Sequence, residues 1–336
     1  MRVLFDHSSP FLLAHGGFQI QIEQTAAALR ALGVEVEFLR WWDGAQRGDL
    51  IHYFGRPTGA YVQLARQKGL KVVIADLLTA LGSRPKSARL LQKILVEGGR
   101  RLLPRSFTAR LAWDAFTSAD AVVALTGWEA QLMQEIFSAP QEKTHVVPNG
   151  VEEVFLRAAP RPRGSWLVCT ATITERKRVL ELAQAAVQAQ TPTWIIGQAY
   201  ADGDPYAAQF EQVARKHPQW VRFEGPVQDR KRLAEIYREA RGFVLLSTME
   251  SLSLSALEAA ACGCPLLLSN LPWATTTFGQ TARYAPVTHH TRRTAALLKS
   301  FYDQAPQIAP PPPPKSWAEV AGQFRDLYAR LLKTSR

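Results

Sequence analysis

Residues 243–269 read FVLLSTMESLSLSALEAAACGCPLLLS and contain the clearest structural pattern in the sequence. Two apolar runs, at 243–247 and 265–269, flank a segment from Ser255 to Cys262 that has the spacing of a helix. Strands that alternate with helices are typical of parallel sheets. The stretch therefore predicts one strand–helix–strand unit of an α/β protein, with a polar loop after its first strand.

The same alternation continues toward both ends of the chain. Short apolar runs predict further strands at 2–5, 34–39, 50–54, 71–75, 121–125, 145–148, 166–171, 193–197 and 221–225. Helical spacing predicts helices over Gln19–Leu32, Gly59–Gln67, Trp128–Phe137, Val179–Gln190, Tyr206–Lys216 and Lys231–Arg241. We therefore expect an α/β protein with two doubly wound parallel sheets.

The alternation breaks at residues 157–164, where RAAPRPRG has proline and arginine in place of the apolar pattern. A cluster of this kind is typical of a linker. We expect a first domain over residues 1–157 and a second domain over residues 158–314.

Five prolines at 310–314 precede the C-terminal segment 315–336. A proline run acts as a stiff spacer, although SH3 domains also bind such sequences. Residues Trp317–Leu332 have apolar side chains at helical spacing and predict an amphipathic helix. We expect this helix to cross back to the first domain.

The composition is that of a soluble globular protein, since 47% of the 336 residues are apolar and 21% are charged. It excludes disordered, collagen-like and disulfide-scaffold chains. Forty Lys and Arg against 29 Asp and Glu give a net charge of +11. This excess predicts an anionic partner, such as nucleic acid, acidic lipid or a phosphorylated ligand.

The three cysteines, Cys169, Cys262 and Cys264, form neither a CxxC pair nor a zinc-ligand spacing. We expect no metal site and a reducing environment. No apolar run reaches 18 residues, and the N-terminal run Met1–Phe5 is too short for a signal peptide. The sequence therefore predicts a cytoplasmic location.

The loop after the strand at 243–247 carries the richest candidate chemistry. Glu250 lies in this loop, Glu258 is expected in the first turn of the following helix, and serines lie between them. A helix N-terminus binds anions, and a carboxylate on either side can hold sugar or ribose hydroxyls. A second interpretation stays open, because Ser255 and Glu258 have the spacing of a capping box in which the carboxylate binds only backbone.

The two glutamates form an E-x7-E arrangement that continues into ALEAAACGCPLLLSN (256–270) and resembles the signature of glycosyltransferase family 4. Other segments resemble that family in the same order, namely HGGF (15–18), VVPNGVEEVF (146–155), TITERKRVLEL (172–182) and WVRFEGPVQDRKRLAEIYREARGFVLLS (220–247). The resemblance implies GT-B architecture, with two Rossmann-like domains facing a central cleft. It also implies a retaining enzyme that uses a nucleotide-sugar donor.

The resemblance implies roles for the charged residues of the second domain. Glu250 would contact the donor sugar near the reacting centre, and Glu258 would bind the ribose hydroxyls. Lys177, with Arg176, would neutralise the diphosphate leaving group. On residue pattern alone, Arg176–Arg178 is also consistent with a solvated charged turn.

The remaining donor contacts implied by the resemblance come from small or apolar loop residues, which are Gly16, Gly17, Gly197, Pro226, Val227, Ser251, Leu252, Ser253 and Leu254. At the Gly16-Gly17 pair, a missing Cβ would let backbone amides approach the diphosphate. The same pair is also consistent with an ordinary turn.

Three departures from the family pattern bear on function. The family often has Gly-Arg where this chain has Ala171-Thr172, and Gly where it has Ser253. It also often has His-Asp where this chain has Ala75-Asp76.

The candidates for the acceptor side of the site are His15, His52 and Asp76. Any of them would replace the histidine that the family pattern places before Asp76. Ordinary hydrogen bonding is the alternative role for both histidines.

The implied reaction moves a sugar from a UDP-, GDP- or ADP-sugar to a hydroxyl of a lipid-linked acceptor or growing polysaccharide. A diphosphate oxygen would take the acceptor proton, so neither a metal nor a further cofactor is expected. The departures keep a second function open, a non-catalytic nucleotide-sugar-binding or assembly protein on the same scaffold.

Most of the net positive charge of +11 comes from residues 84–110, where eight Lys and Arg stand against Glu97 alone. In a helix, Lys86, Arg89, Lys93 and Arg100 share one stripe, and Leu90, Leu91, Ile94 and Leu95 share another. Such a helix can bind peripherally to an anionic membrane surface. The alternative is a helix that packs its leucines on the first domain and solvates its basic face. No nucleic-acid partner is expected, because interleaved aromatic residues and a binding motif are absent.

Overall fold

The chain forms two compact units. The computed structural model describes residues 1–12, 16–104, 108–157 and 161–333. One unit consists of Met1–Asn149 with the C-terminal residues from Trp317 onward, and the other is Gly150–Ser316.

The boundary between the units lies between Asn149 and Gly150, ahead of the segment 157–164 that the sequence suggested as a linker. Val151 accounts for this difference, because it already pairs with Ser316 in a parallel bridge of the second unit. Its N–H also donates to the carbonyl of Lys315 at 3.0 Å.

The first unit contains a parallel six-stranded sheet. Its strands are β1 (Arg2–His7), β2 (Glu35–Phe38), β3 (Leu50–Phe54), β4 (Lys71–Ala75), β5 (Ala121–Ala124) and β6 (Thr144–Val146). Their order in the sheet is β2-β1-β3-β4-β5-β6. The direction of winding changes between β1 and β3, and ligands of such folds bind at the carboxyl ends of strands beside this switch.

Helices connect these strands and pack on the sheet. They are α1 (Gly17–Ala31), α2 (Gly59–Gln67), α3 (Thr79–Gly82), α4 (Lys86–Leu102), α5 (Ala115–Ser118) and α6 (Gly127–Phe137). Two of them begin with a threonine N-cap, since Thr58 accepts from the N–H of Tyr61 and Thr126 from that of Glu129.

The second unit contains a parallel sheet of the same size. Its strands are β7 (Leu167–Thr170), β8 (Thr193–Ile196), β9 (Val221–Phe223), β10 (Gly242–Leu245), β11 (Leu266–Ser269) and β12 (Arg283–Ala285). The order β12-β11-β10-β7-β8-β9 is that of a Rossmann fold. Its switch point lies between β7 and β10.

The helices of the second unit are α7 (Glu153–Leu156), α8 (Val179–Ala189), α9 (Pro205–Lys216), α10 (Arg230–Glu239), α11 (Leu254–Ala261), α12 (Pro272–Phe278) and α13 (Thr291–Gln304). Three elements after β11, namely α12, β12 and α13, had no counterpart among the sequence predictions. The edge strand β12 has only three residues, which is too short for a pattern of period two to be recognised.

The last helix, α14 (Trp317–Lys333), belongs to the first unit and packs against α1. Its Tyr328 hydroxyl shares a hydrogen bond of 2.6 Å with Nδ1 of His52 on β3. Phe324 and Tyr328 are buried, and burial of such side chains contributes about 1.5–3 kcal/mol each. The amphipathic helix expected from the sequence thus returns to the first unit.

None of the helices in the described part of the chain combines the length and the hydropathy that a membrane span requires.

Candidate functional site

Two loops of the second unit meet at its switch point, because they follow the neighbouring strands β7 and β10. The first loop ends in a 3-10 turn, Glu175–Lys177, and the second holds Thr248 and Glu250. The N–H of Thr248 donates to the carbonyl of Arg176 at 2.8 Å, and its hydroxyl donates to the same oxygen at 3.3 Å. These two hydrogen bonds to the Arg176 carbonyl therefore fix the positions of the two loops relative to each other.

The three residues that the sequence suggested as catalytic lie together in these loops. The ammonium of Lys177 donates to Oε1 of Glu250, and Nη1 of Arg176 donates to the same oxygen at 3.2 Å. Arg176 also donates to the carbonyl of Met249 at 3.0 Å. The side chains of Glu250 and Lys177 are only 9% and 12% exposed, so this charge pair lies largely out of water.

The turn that presents Lys177 is built around Thr174 and Arg178. The Thr174 hydroxyl accepts from the N–H of Lys177 at 3.4 Å, and Arg178 follows with a φ of 55°. A left-handed conformation costs a non-glycine residue on the order of 1 kcal/mol, and such strain clusters at functional sites. Arg178 is buried and donates to the carbonyl of Thr288. The interpretation of Arg176–Arg178 as a solvated charged turn is therefore wrong.

Glu258 lies in the second turn of α11 and does not form a capping box. The N-cap is Ser253, whose hydroxyl accepts from the N–H of Ala256 at 3.3 Å. This places Glu258 beyond the reach of the cap, and Ser255 instead shares a hydrogen bond of 3.1 Å with the Ser253 hydroxyl. The backbone-capping interpretation of Glu258 is wrong.

The carboxylate of Glu258 is buried and instead joins a charge cluster whose other two members are half-buried. Arg230 donates to Oε1 of Glu258 and, at 2.8 Å, to Oε1 of Glu152. The Tyr237 hydroxyl lies 3.5 Å from the other Glu258 oxygen. Burial raises the pKa of Glu258 above its ordinary value, and the charge of Arg230 opposes that rise. No local sequence pattern indicates Arg230 and Glu152 as partners, because both come from segments distant from Glu258 along the chain.

The other donor-binding candidates of the second unit differ in exposure. Ser251, Leu252 and Ser253 are buried, and Leu254 is half-buried as the first residue of α11. Pro226 is exposed and Val227 half-buried in the loop between β9 and α10.

Gly197 has a structural reason to be glycine. It follows β8 with a φ of 152°, and a Cβ there would lie 1.9 Å from the carbonyl oxygen of Ala171. The close approach holds the ends of β7 and β8 together, and Ala171 N–H donates to the carbonyl of Ile196 at 3.0 Å. The fold itself therefore requires glycine at position 197, whether or not a donor is bound.

Gly197→Ala is therefore expected to destabilise the second unit by about 2–4 kcal/mol, combining overpacking with backbone strain. The matched control is Gly203→Ala, which also has a positive φ but has open space at the Cβ position. Urea unfolding of both variants gives the comparison. Equal losses of stability in the two variants would show that the clash with Ala171 does not contribute to the destabilisation of Gly197→Ala.

In the first unit, Gly16 precedes α1 with a φ of 139° and Gly17 is the first residue of the helix. Among the described residues, the N-cap Gly16 has no side chain that could cap the first turn. His15 lies outside the described residues.

His52 is a core residue, contrary to its expected acceptor role. Its side chain is fully buried on β3, stacks on Phe54 at 4.2 Å and bonds to Tyr328 of α14. Burial lowers the pKa of His52 to about 3. The side chain has no surface through which it could contact an acceptor.

Because the pKa of His52 is depressed on folding, acid destabilises the first unit. The unfolded chain takes up a proton near pH 6.5 and the folded chain only near pH 3, so stability falls between these values as pH is lowered. We expect a slope of roughly 1.4 kcal/mol per pH unit from this residue. In His52→Phe the decline of the unfolding temperature from pH 6.5 to 4 becomes shallower. The exposed-residue control His289→Ala should keep the parent slope, and identical slopes in all three proteins would contradict this assignment.

Asp76 lies at the end of β4 and forms an ion pair with Arg56, with 2.7 Å between Oδ2 and Nη2. The Arg56 guanidinium also lies 4.1 Å from the ring centroid of Phe137. Burial raises the pKa of Asp76 above its ordinary value, and Arg56 opposes the rise. Asp76 is therefore already paired within its own unit.

Comparison with known proteins identifies the family. The family described as "Glycosyl transferases group 1" matches residues 164–300, and the one described as "Glycosyl transferase 4-like domain" matches residues 37–150. The chain belongs to the group 1 glycosyl transferases. Glu250, Glu258 and Lys177 all lie within residues 164–300, the segment that matches the group 1 family.

A curated relative of this group 1 family member is the D-inositol 3-phosphate glycosyltransferase of Jonesia denitrificans. It is 31% identical over 182 residues, which make up 46% of this chain and 42% of the relative. The chain thus spans less than half the length of that relative.

Two solved structures resemble this family member over nearly the whole chain. Sucrose-phosphate synthase from Thermosynechococcus elongatus has a TM-score of 0.66 at 18% identity, with 99% of this chain and 100% of that chain covered. Anabaena Alr3699/HepE in complex with UDP-glucose has a TM-score of 0.63 at 14% identity, with 99% of each chain covered. Similarity at these identities establishes the fold, which is the two-domain Rossmann-like GT-B fold.

One cleft in the first unit was not predicted from the sequence. It has a volume of about 340 Å³ and lies at the carboxyl ends of β1 and β2. At its edge, the buried Asp6 accepts from the hydroxyl of Tyr61 at 2.6 Å and from the indole N–H of Trp41 at 3.2 Å. The Asp6-His7 pair directly after the first apolar run was the available signal, because polar residues at a strand's carboxyl end favour a site.

Proposed function

We propose that this protein transfers a sugar from a nucleotide diphosphate donor to a hydroxyl acceptor. The observation that carries the proposal is the meeting of Glu250, Lys177 and Arg176 at the switch point of the second unit. In a Rossmann fold this is the position where a bound nucleotide is expected.

Lys177 and Arg176 supply fixed positive charge for the diphosphate leaving group. The developing negative charge is stabilised most where cations are held in place in advance and shielded from water. Glu250 holds both cations and contacts the donor sugar. The positive charge comes from these side chains, so the proposed reaction requires no metal ion and no further cofactor.

The nucleotide binds beside α11. The N–H groups of the first turn of α11 face the diphosphate, and the buried Glu258 accepts hydrogen bonds from the ribose hydroxyls. Arg230 holds Glu258 in position.

The proposed reaction retains the anomeric configuration. The acceptor oxygen attacks the anomeric carbon from the face that the diphosphate leaves, and the bond from that carbon to the phosphate oxygen breaks. The acceptor proton passes to a diphosphate oxygen. A new glycosidic bond and a nucleoside diphosphate are the products.

The donor is a UDP-, GDP- or ADP-sugar, and UDP is the first to test because a structural neighbour is in complex with UDP-glucose. The acceptor is a lipid-linked or polysaccharide hydroxyl. The reaction takes place in the cytoplasm, with the protein bound peripherally at the membrane.

A second function, non-catalytic binding of nucleotide sugars on the same scaffold, is favoured by one set of observations. Ala171-Thr172 and Ser253 replace residues that the family often has, and Asp76 is paired with Arg56. Such a protein would bind the donor and leave it intact.

Thermal unfolding with UDP, GDP, ADP and their common sugar conjugates tests donor binding. A ligand at 100 times its Kd adds about 2.7 kcal/mol, which raises the unfolding temperature by about 5–10 °C in domains of this size. One responding nucleotide names the donor. The absence of a response to every nucleotide at millimolar concentration would contradict the proposal.

A further inference from the structure

Helix α4 packs on the first unit with its polar side. The guanidinium of Arg89 lies 4.3 Å from the ring centroid of Trp128, and Arg100 donates to the carbonyl of Phe137 at 2.9 Å. Val96 is the buried apolar residue of this helix. Two residues of the basic stripe thus bind the protein itself.

The opposite side of α4 presents aliphatic side chains to solvent. We call this surface the outer aliphatic face, and it consists of Leu90, Leu91, Ile94, Leu95 and Leu102. The first four are 57–60% exposed and Leu102 is 85% exposed. The alternative in which these leucines pack on the first domain is therefore wrong. Contiguous exposed apolar surface of this kind marks an interaction site.

Positive charge borders this face. Lys86 and Arg101 are exposed on α4, and Lys93 lies 3.7 Å from Glu97, which is the acidic residue of the helix. The arrangement is an apolar stripe with basic residues along its edge, which is the pattern of helices that lie in a bilayer interface.

We infer that the outer aliphatic face of α4 inserts into the interface of an anionic membrane. Its leucines and Ile94 enter the boundary of the acyl chains, and Lys86, Lys93 and Arg101 contact lipid phosphates. The inference rests on the proposed function for the peripheral membrane location. It deepens that function by naming the protein surface that binds the membrane and the negative charge of the lipid.

The composition of the face favours lipid over protein. Protein interfaces are enriched in aromatic residues and depleted in lysine, and leucine is under-represented among their hot spots. Association of two copies through this face would also bring the basic borders of both copies together, which is electrostatically unfavourable.

Flotation of the full chain with vesicles tests the inference. Vesicles of phosphatidylcholine with roughly one-third phosphatidylglycerol should bind the protein, and pure phosphatidylcholine vesicles should bind at least about tenfold less. The combined variant Leu90→Gln, Ile94→Gln, Leu95→Gln should lose binding by at least about tenfold, since glutamine keeps the helix but removes apolar area. Leu64→Gln, on α2 and 62% exposed, is the matched control and should bind like the parent.

Three outcomes would overturn the inference. The first is equal binding of the parent and the triple variant to anionic vesicles, and the second is no binding of the parent to these vesicles. The third is a dimer of the parent, measured by light scattering, that the triple variant abolishes. The nucleotide response in thermal unfolding is recorded on the same samples, so a failure of donor binding is distinguished from a failure of membrane binding.

Discussion

Glu250→Gln is expected to lower the rate of sugar transfer by about 10²- to 10³-fold while the protein stays folded. The variant keeps the size of the side chain but removes the negative charge that holds Lys177 and Arg176 on one oxygen. Without that anchor the two cations lose their fixed position for the leaving group. The loss therefore falls on the chemical step more than on nucleotide binding.

The measurement is release of nucleoside diphosphate from the donor sugar that thermal unfolding identifies, with water as the default acceptor. Glu211→Gln is the control, because Glu211 is a partly exposed glutamate of the same unit that pairs with Arg215 on α9. Parent-like turnover in Glu250→Gln would contradict the role of Glu250. If the parent itself releases no nucleotide although it binds the donor, the non-catalytic function is supported.

Lys177→Gln is expected to weaken binding of the nucleoside diphosphate by about 10- to 100-fold, because a hydrogen bond to a charged group contributes about 1.5–3 kcal/mol. The corresponding nucleoside lacks phosphates, so its affinity should not change. The difference between the two ligands assigns the effect to the diphosphate. Lys177→Arg should recover part of the affinity through its retained charge.

Isothermal titration calorimetry with the nucleoside diphosphate and its nucleoside provides both affinities. Lys216→Gln removes an exposed positive charge from the same unit and controls for net charge. A parallel loss for both ligands would instead indicate that Lys177 maintains the shape of the loop.

The α/β alternation and the site loops of the second unit could be predicted from sequence because their signals are local. Apolar runs mark buried strands, and a site at the carboxyl end of a strand lies only a few residues from its run. Glu250 and Lys177 follow β10 and β7 in this way. The Rossmann strand order makes β7 and β10 neighbours, and their loops meet because the strands are adjacent.

The failures concern contacts between distant segments. His52 is covered by Phe324 and Tyr328, which come more than 270 residues later, and no local pattern encodes that cover. Periodicity separates the two stripes of α4, but it cannot tell which stripe faces the protein. Arg89 could turn inward because an aromatic ring lies opposite it, and that ring comes from Trp128 on another helix.

The pairing of Val151 with Ser316 brings the two ends of the second unit side by side, so this unit is an insertion within the sequence of the first. During synthesis, all residues of the inserted unit emerge before α14 does. The first unit, although it begins the chain, lacks the partner of His52 until Phe324 and Tyr328 have been made. The order of completion is therefore the reverse of the order along the chain, and the aromatic surface around His52 lacks its cover in the interval.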